Sequence, residues 1–409
     1  MKYSKEEVLQ YIREEDVKFI RLIFCDIFGR QKNISIMPGE LERAFSCGIA
    51  FDASAITGFG DEAHSDLFLH PEPDTLSILP WRPEHGQVVR IFCHITYADG
   101  TPFPCDTRSL LKEAAAAAEK AGVFFDFGPE MEFYLFRLDD DGQPTRIPYD
   151  NASYMDMAPE DKCENIRREI CLTLERMGIS PESSHHEEGP GQNEIDFRYS
   201  DPLTAADNTM TFQTVVKTIA QRNGLYADFS PKPMKHYPGN GFHINLSART
   251  EAKGDALPQM MAGIMKHIAD MTVFLNPTAA SYERLGTQKA PGYITWSCQN
   301  RSQLIRVPAS PEEHRRAELR SPDPSTNPYL AFALLIYSGL EGITHGLELP
   351  PPVEENLFTA SAQVLRQYAP LPQSRREAAV TAANSTFLAD HLPADLLRAY
   401  LDAVTKEQF

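Results

Sequence analysis

The sequence predicts an α+β protein in two parts, and three observations carry that reading. From Val17 to Trp81 the segments are short and β-rich. At Asp106 a strongly helical run opens. Beyond it, helical stretches alternate with short strands whose residues alternate between apolar and polar. Strands of that kind suit an antiparallel sheet with one face on a core, whereas a doubly wound parallel sheet needs strands apolar on both faces.

The elements follow in order. Ser4 with Glu7 reads as a capping box that opens a short surface helix. VKFIRLIFCD is strand-rich, DIFGRQKNISI contains a hairpin turn at Gly29, a long polar loop runs from Phe51 to Asp66, and 70–81 and 85–95 read as two more strands. Asp106-Thr-Arg-Ser109 caps the helix LLKEAAAAAEKAG, with Gly122 as its stop. The chain is expected to divide near this point, into 1–102 and 103–409. In the second part helices are predicted over 163–178, 207–223, 255–275, 326–344 and 393–405. Strands are predicted over 123–137, 191–198, 240–248, 293–297, 302–307 and 316–320. PPPVEEN near Pro350 is a loop, and there is no internal repeat.

Composition narrows the function. The chain has 409 residues, 42% hydrophobic and 23% charged, with a formal net charge of −18. So acidic a chain lacks the basic stripe of a nucleic-acid binder and is repelled by anionic membranes. No apolar run reaches the ~18 residues that would span a bilayer, and MKYSKEEVLQYIREED has no signal-peptide core. The seven cysteines are scattered without a CxxC, which suggests neither a disulfide framework nor a thiolate zinc site. A reducing cytoplasm fits.

Four segments carry chemistry. In GPEMEF, Glu130 and Glu132 share one face of a strand, because side chains alternate. Alone, such a pair is usually a solvated face, but here the flanking VFFDF and FYLF are apolar, so the polar face is expected to line a cavity. In HHEEGPGQNEIDF, Glu187 and Glu194 flank a Gly-Pro-Gly turn that can fold them together. In GNGFHINLS, His243, Asn245 and Ser247 share a face. In RRAELRSPDP, Arg316, Glu318 and Arg320 do the same, which puts an acid between two guanidinium groups. In isolation the second is an acidic surface loop, the third holds a core histidine, and the fourth is a surface ladder. Together they supply five glutamates and one histidine without cysteine, a set suited to hard cations such as Mg²⁺ or Mn²⁺. Arg284, Arg301, Arg306, Arg316 and Arg320 add forks that match carboxylates and phosphates. Cations with several arginines are the electrostatic equipment of phosphoryl transfer. No GxxxxGK[ST] or kinase signature occurs. The residues therefore indicate a metal-dependent ATP enzyme without a P-loop.

On these motifs the chain resembles the type I glutamine synthetase family over nearly its whole length. FDASAITGF and SDLFLHPEPDTLSILPW are similar to its amino-terminal β-grasp domain. GPEMEF, HHEEGPGQNEIDF, PKP, GNGFHINLS, NPTAASYERL, NRSQLIRVPAS and RAELRSPDPSTNPYL match its catalytic domain in order. The resemblance implies a β-grasp domain over 1–102 and, over 103–409, a catalytic domain with a curved antiparallel sheet and surrounding helices. It implies ligation of ammonia to the γ-carboxylate of glutamate through a γ-glutamyl phosphate, using ATP and two Mg²⁺ or Mn²⁺. Glu132, Glu187 and Glu194 match ligands of the metal nearer the amino acid. Glu130, His243 and Glu318 match those of the metal nearer the ATP phosphates. Glu182, Asn245, Ser247, Arg301, Arg306 and Arg316 match nucleotide contacts, with Asn245 in place of a more common histidine. Gly239, Arg284 and Arg320 match the glutamate site, and Asp52 matches the residue that binds ammonium and takes its proton. The family implies a homo-oligomeric ring, hexamer or dodecamer, in which Asp52 reaches across from a neighbouring subunit.

The sequence also departs from the family pattern. The flap form RLVPGYEAP reads RLGTQKAP here, one residue shorter and with Lys289 at the glutamate. A lysine facing inward is expected to disfavour ammonium, which keeps an organic amine open as the acceptor. A non-catalytic relative is a further alternative, opposed by the retained acidic set, since buried carboxylates without a function are costly. Ala55 and Pro238 are further changes on the ammonium and glutamate side. Leu347 stands at the adenylylated tyrosine, and the carboxyl terminus is short.

Overall fold

The computed structural model describes residues 3–60, 63–82, 86–250, 255–287 and 289–406. Two sheets organise it. The amino-terminal sheet contains β1 (Phe19–Cys25), β2 (Gln31–Ile36), β3 (Ile49–Asp52), β4 (Asp66–Pro71), β5 (Ser77–Ile78) and β6 (Val88–Thr96), in the order β2-β1-β6-β4-β3 with β5 on β6. The β1–β2 hairpin turns at Gly29, whose φ is +77°, and the Asp26 carboxylate accepts from the Phe28 and Arg30 amides to hold the turn. β1 and β6 run parallel. The strand expected over 70–81 is broken, because Pro71 and Pro73 cannot donate to a ladder and a short turn at Pro73–Thr75 separates β4 from β5. Residue 85, where another strand is expected to open, lies outside the described residues.

The second sheet carries the candidate site. It consists of β7 (Val123–Leu138), β8 (Pro144–Pro148), β9 (Pro181–His186), β10 (Gln192–Phe197), β11 (Leu225–Asp228), β12 (Phe242–Thr250), β13 (Trp296–Cys298), β14 (Ile305–Val307) and β15 (Ala317–Leu319). The order is β13-β14-β15-β12-β7-β10-β9, with β8 and β11 also on β7. The pairs are antiparallel as expected, except for β13 with β14, which run parallel at the edge. β7 is the spine. Met131, Phe133 and Leu135 point from it into the core, where Phe133 meets Phe212 and Phe229.

Helices cover the apolar face. Pro202–Arg222 starts five residues earlier than the apolar periodicity suggests, because Asp201 caps it through the Thr204 amide and Pro202 sits in its first turn. Leu257–Leu275 and Pro328–Thr344 pack on each other, and Phe332 of the latter stacks on Phe127 of β7 at 4.3 Å. Buried polar contacts tie the amino-terminal sheet to the helices behind the second sheet. Arg90 Nη2 donates to Thr211 Oγ1 at 2.9 Å, and Arg108 bridges Glu72 at 3.1 Å and Asp207 at 2.8 Å. Short elements not anticipated from the sequence include Leu41–Cys47, Ala279–Arg284, Ala362–Leu365, Arg375–Ala383 and Thr386–His391, together with β3, β8, β9 and β11.

Candidate active site

Register assembles the site. Antiparallel pairing sets Glu194 opposite Glu132 and Asp196 opposite Glu130 across β10 and β7. On the other side of β7, His243 of β12 faces Glu130. Glu318 of β15 faces Asn245 of β12, and Arg306 of β14 faces Glu318. Directly opposite side chains lie about 5 Å apart, so five strands bring their polar faces onto one concave surface. The resulting cavity has a volume of about 450 Å³.

The ligating atoms converge in overlapping groups. Glu130, His243 and Glu318 form one. Glu194 belongs to three others, with Glu132 and His243, with His185 and Glu187, and with Glu130 and Asp196. Glu132 and Glu187 do not share a group, although both line the cavity. His243 Nδ1 is 3.7 Å from both Glu130 Oε2 and Glu318 Oε1. Burial, reinforced by Arg320, pushes the His243 pKa down to about 3, so the imidazole is neutral with a lone pair free for a ligand. Burial pushes Glu187 up to about 8, with Glu132 adding to the shift. Glu194 is raised by burial and by Asp196, Glu132 and Glu130. Burial and Glu130 raise Asp196 to about 7. Carboxylates driven together at such cost are ready to bind a cation.

One wall is cationic. Glu318 is gripped by Arg320 Nη1 at 2.6 Å and Arg306 Nε at 3.0 Å. The expectation that Arg316 flanks Glu318 is corrected here. Arg316 instead donates to Asn245 Oδ1 at 2.9 Å, and Asn245 donates to Glu130 Oε1 at 2.7 Å. Arg306 Nη1 and Arg320 Nε are buried without a hydrogen-bond partner among the described residues, so each is a donor awaiting an acceptor. Arg284 is fixed by the Ser321 carbonyl at 2.8 Å and lines the cavity beside Gly239. A Cβ on Gly239 would meet the Pro231 carbonyl at 2.3 Å, so only glycine permits this close approach. Arg301, exposed at the mouth, completes the arginine set.

Six of the expected residues are not in the cavity lining, although Glu318 and Asn245 are bonded to residues that are, Arg320, Arg306 and Glu130. Asp52 is exposed at the end of β3, where its carboxylate accepts from the Ser54 amide and hydroxyl at 2.9 and 2.7 Å. Those hydrogen bonds lower its pKa. Glu182 of β9 is exposed, 3.9 Å from Arg198. Ser247 lies further along β12, opposite Asp126, and Arg316 reaches the site only through Asn245.

The cavity also includes residues that sequence reasoning missed. Asp196 is two positions from Glu194, so strand alternation alone could have flagged it. His185 lies 3.5 Å from Glu194 and 3.6 Å from Glu187, within the motif already singled out. Gln192 left no local signal. Lys289 lines the cavity but is held at its edge. It pairs with Glu188 and lies 6.0 Å from the Tyr154 ring. Behind the wall, Asp150, Asp161, Cys163 and His186 form a fully buried group in which His186 Nε2 and Cys163 bond to Asp150. They tie the segment bearing Tyr154 and Met155 to β9.

Comparison with known proteins agrees with this geometry. The glutamine synthetase catalytic domain matches residues 104–408, and the glutamine synthetase β-grasp domain matches residues 16–98. The glutamine synthetase of Clostridium saccharobutylicum is 46% identical over 375 residues, covering 88% of this chain and 85% of its own. That of Methanosarcina mazei is 43% identical over 420 residues, covering 99% and 94%. Among solved structures, a GmaS–ADP complex is 27% identical with a TM-score of 0.87, covering 98% of this chain and 97% of that one. The cryo-EM structure of Plasmodium falciparum glutamine synthetase, 22% identical with a TM-score of 0.85 and covering 100% and 96%, shares the fold.

Proposed function

The chain belongs to the glutamine synthetase family, and we propose that its cavity joins ammonia to the γ-carboxylate of glutamate at the expense of ATP. The observation that carries this reading is the convergence of Glu130, Glu132, Glu187, Glu194, His243 and Glu318 beside buried arginine donors that lack partners. An oxygen-rich donor set with one neutral imidazole fits two Mg²⁺ or Mn²⁺. Glu132, Glu187 and Glu194 would hold one, and Glu130, His243 and Glu318 the other. Such cations neutralise phosphate charge and polarise the oxygens of the transferring group.

In this reading Arg284, Arg320 and the Gly239 backbone hold glutamate with its γ-carboxylate towards the phosphates. Arg301 and Arg306 meet the phosphate charge, and Glu182, Asn245, Ser247 and Arg316 contact the nucleotide. A γ-carboxylate oxygen attacks the γ-phosphorus of ATP, the bond to ADP breaks, and γ-glutamyl phosphate forms. Asp52, contributed by a second copy of the chain, takes a proton from ammonium. The ammonia attacks the acyl carbon, and phosphate leaves with the carboxylate oxygen. The exposed position of Asp52 away from its own cavity supports a ring, hexamer or dodecamer, with shared sites. Division of the chain at 102/103 into β-grasp and catalytic domains belongs to the same reading. The seven free cysteines fit a reducing cytoplasm, and no helix of the described residues is long and apolar enough to cross a membrane.

A second reading keeps an organic amine as the acceptor, with Lys289 in the cavity lining but paired to Glu188. An acceptor panel with ATP and glutamate decides between them. Phosphate release that requires glutamate and ammonium, with glutamine as product, supports the first. Turnover only with larger amines supports the second. ATP hydrolysis independent of glutamate excludes both.

A further inference from the structure

Gln192 is 1% exposed and both polar atoms of its side-chain amide are hydrogen-bonded. Its Nε2 donates to Glu132 Oε2 at 2.9 Å and to the Gly239 carbonyl at 3.2 Å. Its Oε1 accepts from the Gly189 amide at 3.0 Å and lies 3.3 Å from the Tyr134 hydroxyl. Two acceptors beside Nε2 and the Gly189 amide donor beside Oε1 fix which way the amide points. The Tyr134 hydroxyl donates in turn to the Pro238 carbonyl at 2.7 Å. A Cβ on Gly189 would fall 2.0 Å from that hydroxyl, so this turn is built around it.

The consequence for Glu132 is specific. Its Oε2 accepts from both Gln192 and the Gly241 amide, the latter at 2.9 Å. That oxygen is held by two donors, which leaves Oε1 available as the ligand atom. The same Gln192 nitrogen holds Gly239, on the backbone beside Arg284. One buried amide therefore clamps a carboxylate of the cation site, the backbone of the amino-acid site and the turn between Glu187 and Glu194. Groups that orient a metal ligand in this way typically change metal affinity by about 10–100-fold when removed.

We infer that Gln192 is a positioning residue that couples divalent-cation binding to glutamate binding, an inference that rests on the function proposed above. Gln192→Met keeps the volume and removes all four contacts. Its metal-binding arm uses Mn²⁺ alone, titrated calorimetrically into the whole protein without substrates. The affinity is expected to fall about 10-fold or more. In the kinetic arm, KM for glutamate is expected to rise by a similar factor while KM for ATP stays within about 3-fold, a split that general loosening would not produce. Tyr134→Phe, which releases only Pro238 and one contact to the amide, is expected to raise KM for glutamate and leave Mn²⁺ affinity within about 3-fold.

Unchanged Mn²⁺ affinity and glutamate KM in folded Gln192→Met would overturn the inference, as would an equal rise in KM for ATP. If that variant does not fold, Gln192→Glu, which keeps the shape but loses both donors, is judged by the same limits. Wild-type protein that binds Mn²⁺ but shows no glutamate-dependent turnover would refute the proposed function, and the calorimetric arm would still decide the role of Gln192 in cation binding.

Discussion

The Glu318 carboxylate lies 2.6 Å from Arg320 Nη1, with each side chain only 2% exposed. A buried ion pair of this kind is costly to break from one side, because the remaining charge is left without a counter-ion.

Glu318→Ala should therefore cost about 3–5 kcal/mol of stability and reduce ATP-dependent turnover by about 10²-fold or more. Asp66→Ala, at an exposed strand end, should do neither. Chemical denaturation and steady-state kinetics on the two variants check this. The further control Glu62→Ala falls outside the described residues and carries no structural expectation.

Metal should matter more as pH rises. Glu187 and Asp196 titrate near 8 and 7 in the fold, and Glu194 is also raised. Their unfolded values are about 4. Between those limits the folded state holds protons that the unfolded chain has released, so the metal-free protein loses stability as pH rises towards 8. Bound Mg²⁺ replaces those protons. The increment in melting temperature on adding Mg²⁺ should accordingly grow between pH 5.5 and 8, as read by calorimetric scans with and without EDTA. An increment independent of pH would contradict the electrostatic account.

Lys289 should be nearly silent towards ammonium while Glu188 remains. The two form an exposed pair, their side chains 55% and 36% accessible, with a coupling of the ~0–1 kcal/mol usual for such pairs. Lys289→Gln is expected to change KM for ammonium by less than about 3-fold, whereas Glu188→Gln, which frees the cation, should raise it several-fold. Acceptor kinetics on both variants and their combination give the coupling directly.

Asp52→Ala should abolish ammonium use without altering stability, since the side chain is exposed and, among the described residues, bonds to Ser54 alone. Mixed and reassembled with Glu318→Ala subunits, it should regain activity if sites are shared between copies. No recovery would contradict sites shared between copies, and full activity of Asp52→Ala alone would place Asp52 outside the chemistry.

What could be read from the sequence was the content of each strand face. Alternation along β7, β10 and β12 put Glu130 with Glu132, and His243 with Asn245, where the structure has them. Alternation does not say which strand lies next door. Spacing alone makes Arg316 and Arg320 the neighbours of Glu318, and only the pairing of β14 with β15 brings in Arg306 instead of Arg316. Gln192 was invisible for the same reason, since its partners come from Glu132, Gly189 and Gly239, two of which are distant in sequence. Short helices such as Ala279–Arg284 were missed because six residues carry too little periodicity to register.

The most direct test follows one oxygen. With glutamate labelled with oxygen-18 in its γ-carboxylate, together with ATP, ammonium and Mg²⁺, mass spectrometry of the released phosphate shows whether the carboxylate oxygen reached phosphorus. The account predicts one labelled oxygen in the phosphate for each glutamine formed. Unlabelled phosphate accompanying turnover would mean that water, not the γ-carboxylate, attacks ATP, and would contradict ligation through γ-glutamyl phosphate.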